Sequence, residues 1–278
     1  MTQKPNSTDR PTSRRSVLRT SAAAGGLLLW GTAATGTAAA RGQNKRTVLK
    51  PDYSGNLSGA AGTREEANTL SGSWQVPSDT TGDGDSDKFQ LYLSPDDLFV
   101  NAGDVTVDDL THVSYHTKKD AETSGTVPYN VYLQMYTEPD GADDQASWYG
   151  YRLTAEPYFS QNLDAPGGEW IRWSTESGDN RLTFFDDSKV GFGFYGGQPT
   201  LEELQAGPID WSSRKSGAPS TDVDYGQEVI KYVTLQTGSG YPASFDAFVD
   251  TVEIGISNGA GKGKGNETGQ TARIDLEP

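Results

Sequence analysis

The 278-residue chain has no cysteine, two histidines and two methionines. Without cysteine there is no disulfide scaffold, no cysteine-based zinc finger and no thiol nucleophile. No G-x-S-x-G elbow occurs, and with histidine this scarce a serine hydrolase is disfavoured. Phosphate loops and dinucleotide fingerprints are also missing. Positive charge is short: 23 Lys plus Arg stand against 38 Asp plus Glu, a formal net of −15. Nucleic acid is therefore not an expected partner, because phosphate binding needs a basic footprint. Apolar residues, tyrosine included, make up 33% of the chain, which still allows one sizeable core.

The first forty residues read as a targeting segment rather than as part of the fold. Ser13-Arg14-Arg15-Ser16-Val17-Leu18-Arg19 resembles the twin-arginine export motif. A mildly apolar stretch from Ala22 to Ala40 follows, and Ala38-Ala39-Ala40 offers the small residues a signal peptidase needs. The stretch is too rich in Gly and Thr to insert well as an anchor, so no membrane insertion is expected after cleavage before Arg41. The expected route is secretion by the twin-arginine pathway. Residues 1–40 hold five basic side chains and one acidic, leaving 18 basic against 37 acidic in the mature part. Aspartate outnumbers glutamate, 25 to 13. This composition resembles secreted proteins of salt-loving archaea. In multimolar salt the screening length is about 3 Å or less, so self-repulsion no longer opposes the fold.

Residues 41–69 are polar and read as a leader with one strand at most. From residue 70 to 278, short alternating runs recur between clusters of Gly, Pro, Asp and Ser, the spacing of an all-β domain. Val131, Leu133 and Met135 are expected to face the core, with Tyr132, Gln134 and Tyr136 on the other side. Val113 and Tyr115 alternate with His112, Ser114 and His116. Phe248, Asp250, Val252, Ile254 and Ile256 share one parity, and Ala272, Ile274 and Leu276 form a last strand. Further strands are expected over Phe89–Leu93, Tyr149–Ala155, Trp170–Ser174, Leu182–Phe185, Gly191–Tyr195 and Val229–Gln236. Helix is restricted to single turns, one opened by Ser94-Pro95 and one by the capping box of Thr200 and Glu203. Residues 258–270 form a glycine-rich loop, and Asn56 and Asn266 open glycosylation triplets.

The end of the chain carries a further likeness. Phe248-Val249-Asp250-Thr251-Val252-Glu253-Ile254, then Arg273-Ile274-Asp275-Leu276-Glu277, resembles the closing hairpin of concanavalin-like and laminin-G-like extracellular jelly rolls. In those, "F-x-G-x-V-D-N-V-x-I" ends the sandwich and "D-F-E" closes it; here Ala247 replaces the glycine and Thr251 the asparagine. The likeness implies two packed antiparallel sheets.

Three groups of residues could carry chemistry. Asp83, Asp85 and Asp87 form the densest acidic cluster, which can hold a structural calcium through oxygen ligands or serve as a solvated loop. His112 and His116 share a strand face about 13 Å apart, too far to ligate one ion. Nine tyrosine and tryptophan residues crowd into 129–173. Aromatic faces stack on sugar rings while polar neighbours orient the hydroxyls, and the same crowding also suits core packing. The expected contact residues are Tyr132, Gln134, Tyr136, Trp148, Tyr149, Tyr151 and Arg152, with Tyr149 and Tyr151 on one side of their strand and Arg152 opposite in parity. Enzymatic signatures are weaker. Asp250 and Glu253 do not reproduce the E-x-D-x-x-E pattern of concanavalin-type glycosidases. Jelly-roll lyases use Arg, Gln, His and Tyr, types present in Arg152, Gln134, His112, His116 and Tyr136, but the phrases R-x-E-x-R, Q-x-H and Y-F-K-x-G are missing.

The sequence therefore predicts a secreted, halophilic, all-β protein: a two-sheet antiparallel β-sandwich (jelly roll) with one or two short helical turns. Its expected role is a non-catalytic module that binds a polysaccharide or a surface glycan. A jelly-roll lyase or glycoside hydrolase, and a structural component of the cell envelope, stand as alternatives.

Overall fold

Period-two alternation builds this fold. In a computed structural model of the chain, Met1–Ala39 and Ala40–Pro278 form separate units. The structure describes residues 44–49, 57–58, 73–76, 89–100, 103–120, 128–138, 151–161, 166–192, 196–220, 222–238, 241–257 and 269–276, with backbone only at 44–49, 57–58, 151 and 161. The acidic cluster Asp83, Asp85 and Asp87 lies outside the described residues, as do Trp148 and Tyr149.

The first strands are β1 (Asn44–Leu49), β2 (Leu57–Ser58), β3 (Trp74–Gln75) and β4 (Gln90–Leu93). The middle of the chain supplies β5 (Leu110–Lys119), β6 (Tyr132–Glu138), β7 (Tyr151–Ala155), β8 (Ile171–Ser174) and β9 (Phe185–Asp186). After the short pair β10 (Ile209–Asp210) and β11 (Asp222–Val223) come β12 (Val229–Gln236), β13 (Ala247–Ile256) and β14 (Gln270–Asp275). Helices are single turns: α1 (Pro95–Leu98), α2 (Pro157–Gln161), α3 (Asp187–Val190), α4 (Leu201–Ala206) and α5 (Trp211–Arg214).

The strands form two large sheets. One runs β1-β14-β13-β5-β8, with β3 also on β13; the other runs β2-β4-β12-β6-β7-β9. Among the described residues every ladder is antiparallel except β1 on β14. Inward residues of both sheets join one contiguous core, with Val113, Tyr115, Trp173 and Ile254 from the first and Leu91, Leu133, Met135 and Val233 from the second. Each such side chain contributes about 1.5–3 kcal/mol of burial. Tyr115 spans the sheets and donates its hydroxyl proton to the Val131 carbonyl at 3.0 Å. The fold is thus the all-β, two-sheet sandwich that the alternation predicts.

Differences from the sequence reading have local causes. The leader contributes two strands rather than one, because β1 and β2 each find an edge, on β14 and β4. No strand covers Gly191 and Phe192, and the strand expected over Leu182–Phe185 shrinks to β9. Its first residues bond elsewhere, Leu182 N–H to the Ser174 carbonyl, Thr183 N–H to Ser160 Oγ and Phe184 N–H to the Pro199 carbonyl, and Asp186 then ends β9 by accepting the Ser188 N–H and opening α3. At Thr200 the capping box forms as expected, with Thr200 and Glu203 bonding each other's backbone.

In β13 the parity changes midway. Asp250 faces His116 and Glu253 faces Ser114, so three steps on β13 match two on β5. The extra residue is Thr251, at φ 44°. This bulge turns Phe248 and Asp250 to the His116 side, while Val249 before it and Val252, Ile254 and Ile256 after it enter the core. A β-branched residue is strained at positive φ, where asparagine and glycine are at ease. Thr251→Asn is expected to raise stability by about 1 kcal/mol, checked as a rise in the midpoint of thermal unfolding. An unchanged or lower midpoint would show that the 3.4 Å hydrogen bond from Thr251 Oγ1 to Asp275 outweighs the strain.

Candidate functional site

Cross-strand register decides which side chains share a face. In the second sheet Tyr136 lies between Tyr232 of β12 and Arg152 of β7. Gln134 lies between Thr234 and Thr154, and Tyr132 faces Gln236. On β4, Tyr92 faces Thr234 and Gln90 faces Gln236. All of these have the parity opposite to the core residues Leu91, Leu133, Met135, Leu153, Val233 and Leu235. The outer face of the second sheet is therefore a continuous field of Tyr, Gln, Thr and Arg.

Part of this face is sealed. Tyr132, Gln134, Thr154, Thr234 and Gln236 are buried. A ladder of amides runs across four strands: Gln90 Nε2 donates to Gln236 Oε1 at 2.9 Å, Gln236 Nε2 to Gln134 Oε1 at 2.5 Å, and Gln134 Nε2 to Thr154 Oγ1 at 2.6 Å. Buried polar groups cost little only when satisfied in this way. Over Tyr132 lies Phe192, whose ring also meets Phe159 and Phe185 at 5.3 and 5.6 Å. Beyond them Tyr129 stacks on Tyr241 and meets Tyr158 edge-on. Much of the aromatic crowding is thus packing: Trp173 is in the core and Tyr132 is 5% exposed.

The other part is open. Tyr92 and Tyr136 are half-buried, Tyr232 is exposed, and the rings of Tyr92 and Tyr232 meet edge-to-face at 5.7 Å. Beside them Arg152 Nε lies 3.1 Å from Asp187 Oδ1. At the far end Lys231 Nζ lies 3.0 Å from Glu138 Oε2. Asp187 is the first residue of α3, just past the capping Asp186. Burial pushes its carboxyl up to about 6; the Arg152 guanidinium opposes this and the Asp186 carboxylate adds to it. Burial likewise raises the Tyr136 hydroxyl above its ordinary value, with Tyr92 adding to the shift while the Gln236 hydrogen bond and Arg152 oppose it.

Of the residues expected from sequence, the structure brings Tyr132, Gln134, Tyr136 and Arg152 onto one face. Tyr132 and Gln134 form its floor rather than its surface. Arg152 joins them, whereas Tyr151 stands opposite Thr137 in register, on the other parity. Tyr92, Tyr232, Gln236 and Asp187 complete the face without having been expected there. The first three were legible as alternate positions of the strands Phe89–Leu93 and Val229–Gln236. Asp187 had no such signal, since a helical turn carries it to Arg152.

The two histidines are on the other sheet. His116 faces Asp250 and Arg172, and His112 faces Gly255. Burial lowers the His116 pKa, against the pull of the Thr251 carbonyl. A Cβ on Gly255 would collide with the His112 ring, so glycine is required for that ring to lie flat there. Neither histidine can act on a ligand held at Tyr136. Among the described residues no helix is long and apolar enough to cross a membrane, and no group of three His, Asp or Glu is placed to hold a metal ion.

Beneath the sealed end, Glu156 is fully buried and accepts the Asn130 N–H at 2.8 Å and the Phe159 N–H at 3.1 Å. Burial nonetheless pushes its carboxyl up to about 7, only partly opposed by those bonds and by Lys119. A raised folded-state value favours the protonated form. Its contribution is therefore complete below the ordinary value near 4.5 and is lost as pH rises to about 7. The loss is on the order of 3 kcal/mol, and Glu156→Gln is expected to flatten that fall in the unfolding midpoint. An unchanged pH profile in the variant would assign the fall to other groups.

Comparison with known proteins finds no matching family model, no matching curated protein and no matching solved structure.

Proposed function

We propose that this protein is an exported, salt-adapted module that binds a polysaccharide or surface glycan on the open part of the second sheet's outer face. The observation that carries the reading is the row Tyr92, Tyr232 and Tyr136 beside the Arg152–Asp187 pair. Tyrosine rings offer apolar faces to the C–H faces of pyranose rings, and the ion pair offers both donors and acceptors to hydroxyls. The glutamine ladder beneath holds the strands in register, so the face is formed before a ligand arrives. Export rests on the twin-arginine-like segment and salt adaptation on the acidic composition.

Binding is measured by fluorescence titration against a panel of polysaccharides in multimolar KCl. Tyr136→Ala and Tyr232→Ala are each expected to weaken it about tenfold, an aromatic contact of roughly 1.4 kcal/mol, without lowering the unfolding midpoint much. Tyr132→Ala is expected to lower the midpoint instead, since that ring is packed. Failure of the native protein to bind any polysaccharide in the panel would overturn the reading.

A catalytic reading has one observation in its favour. Asp187, with its carboxyl near 6, stands beside Arg152 and Tyr136, a combination able to exchange a proton next to a neutralising guanidinium. In that case acidic polysaccharide would release unsaturated uronates, detected by absorbance, and Asp187→Asn would abolish the release. His112→Ala and His116→Ala would leave it unchanged, because both histidines are on the other sheet. No release from any acidic polymer leaves binding alone.

A further inference from the structure

The open part of the tyrosine face carries a cation already matched to an anion. Arg152 is 30% exposed and contacts Asp187 through Nε. Its cross-strand neighbour is Tyr136, and Tyr232 lies one strand further. The guanidinium thus lies at the edge of the rings on which a sugar would rest. Its planar fork is suited to carboxylate and sulfate oxygens, which it can engage through two parallel hydrogen bonds.

The cap of α3 does not depend on the Arg152 contact, although the Asp187 carboxylate also draws on the N–H groups of Asp187 and Ser188. The capping bonds belong to Asp186, which accepts from Ser188 N at 2.9 Å and from Ser188 Oγ at 2.5 Å. Asp186 is itself fixed by the Tyr225 hydroxyl at 2.7 Å, which in turn accepts from Trp211 Nε1 at 2.7 Å. The Asp187 carboxylate can therefore give up Arg152 without unwinding the turn. Asp187 Oδ1, although shielded from solvent, accepts no hydrogen bond among the described residues, so its hold on the guanidinium is by charge.

We propose that Arg152 is an anion-exchange point, at which a carboxylate or sulfate oxygen of an acidic sugar replaces Asp187 while the sugar ring rests on Tyr136 and Tyr232. The proposal rests on the glycan-binding reading and narrows its ligand to acidic glycans. Before the ligand arrives, Asp187 keeps the guanidinium oriented and its charge matched. On binding, one anion leaves and another enters, so the guanidinium is never left without a counter-charge.

Two consequences separate this arrangement from a simple basic patch. The first concerns pH. The charged and titratable groups around Asp187 are Arg152 from β7, Asp186 from β9, and Tyr132 and Tyr136 from β6. Burial places the proton exchange of Asp187 near 6. Lowering the pH through this value removes the competing charge, so affinity for an acidic sugar rises. The second concerns salt. The chain's net −15 repels polyanions at low ionic strength, whereas a partly buried contact is screened far less than that long-range field. A preference for acidic sugars should therefore persist in multimolar salt.

The experiment titrates the full chain in 3 M KCl with dextran, polygalacturonate and dextran sulfate, at pH 5 and pH 7.5. Native protein is expected to bind an acidic polymer more tightly than dextran, and more tightly at pH 5 than at pH 7.5. Asp187→Asn is expected to raise affinity for that polymer about tenfold at pH 7.5, the scale of one charge-assisted hydrogen bond, and to erase the pH difference. Arg152→Gln should abolish the preference for the acidic polymer over dextran. Binding of polygalacturonate alone would assign the anion as carboxylate, and of dextran sulfate alone as sulfate. Equal binding of neutral and acidic polymers, or an Asp187→Asn variant with native affinity and pH dependence, would overturn the exchange while keeping glycan binding. No binding to these three or to the wider panel would overturn the glycan reading itself.

Discussion

The register of β6 is the constraint on which the rest depends. This strand is hydrogen-bonded to β12 on one side and β7 on the other, and its neighbours place Tyr136 between Tyr232 and Arg152. Side chains alternate with a period of two, so a slip of one residue would bring Tyr132, Gln134 and Tyr136 into the core. It would also expel Leu133 and Met135. The hydrophobic effect forbids that slip from the inside. The amide ladder from Gln90 to Thr154 forbids it from the outside, because each amide is satisfied only in the observed register.

That double restraint explains why one sheet face serves two ends. Toward Glu156 it is closed by Phe192, Phe159, Tyr129 and Tyr241, and behaves as a second, smaller packed layer. Toward Arg152 it is open, and there the aromatic residues stand beside charge. Burial rather than charge content sets the chemistry at both ends. Glu156 is pushed up to about 7 despite two backbone donors, and Asp187 to about 6 despite a guanidinium. The large excess of acidic residues over the chain as a whole carries no information about this site.

The opposite sheet shows how a single residue redirects a strand. Thr251 adds one position to β13 and turns Asp250 toward His116 while returning Val252 to the core. Its outer surface is occupied by charges matched to each other, Arg172 with Glu176 and Arg273 with Asp275. The histidines that looked like candidates for proton transfer belong to this surface. Their separation from Tyr136 by the thickness of the sandwich excludes them from the tyrosine face.

Alternating apolar residues were enough to determine, from the sequence alone, an all-β fold, most of its long strands, the core positions of β5 and β6, and the shared face of Tyr132, Gln134 and Tyr136. These are local properties, written in period two and in turn residues. Which strands become neighbours is not local. Arg152 meets Tyr136, and Tyr232 meets Tyr92, only because hydrogen bonds join segments far apart in the chain. Asp187 reaches Arg152 only because Asp186 ends one strand and starts a helical turn. Whether an outward residue is surface or floor depended on which loop lay over it, and this separated buried Tyr132 from exposed Tyr232. The bulge at Thr251 broke the parity that the sequence implied, since one extra residue leaves no mark in composition. Alternation determined the faces; long-range pairing decided which residues met on them and which of them remained exposed.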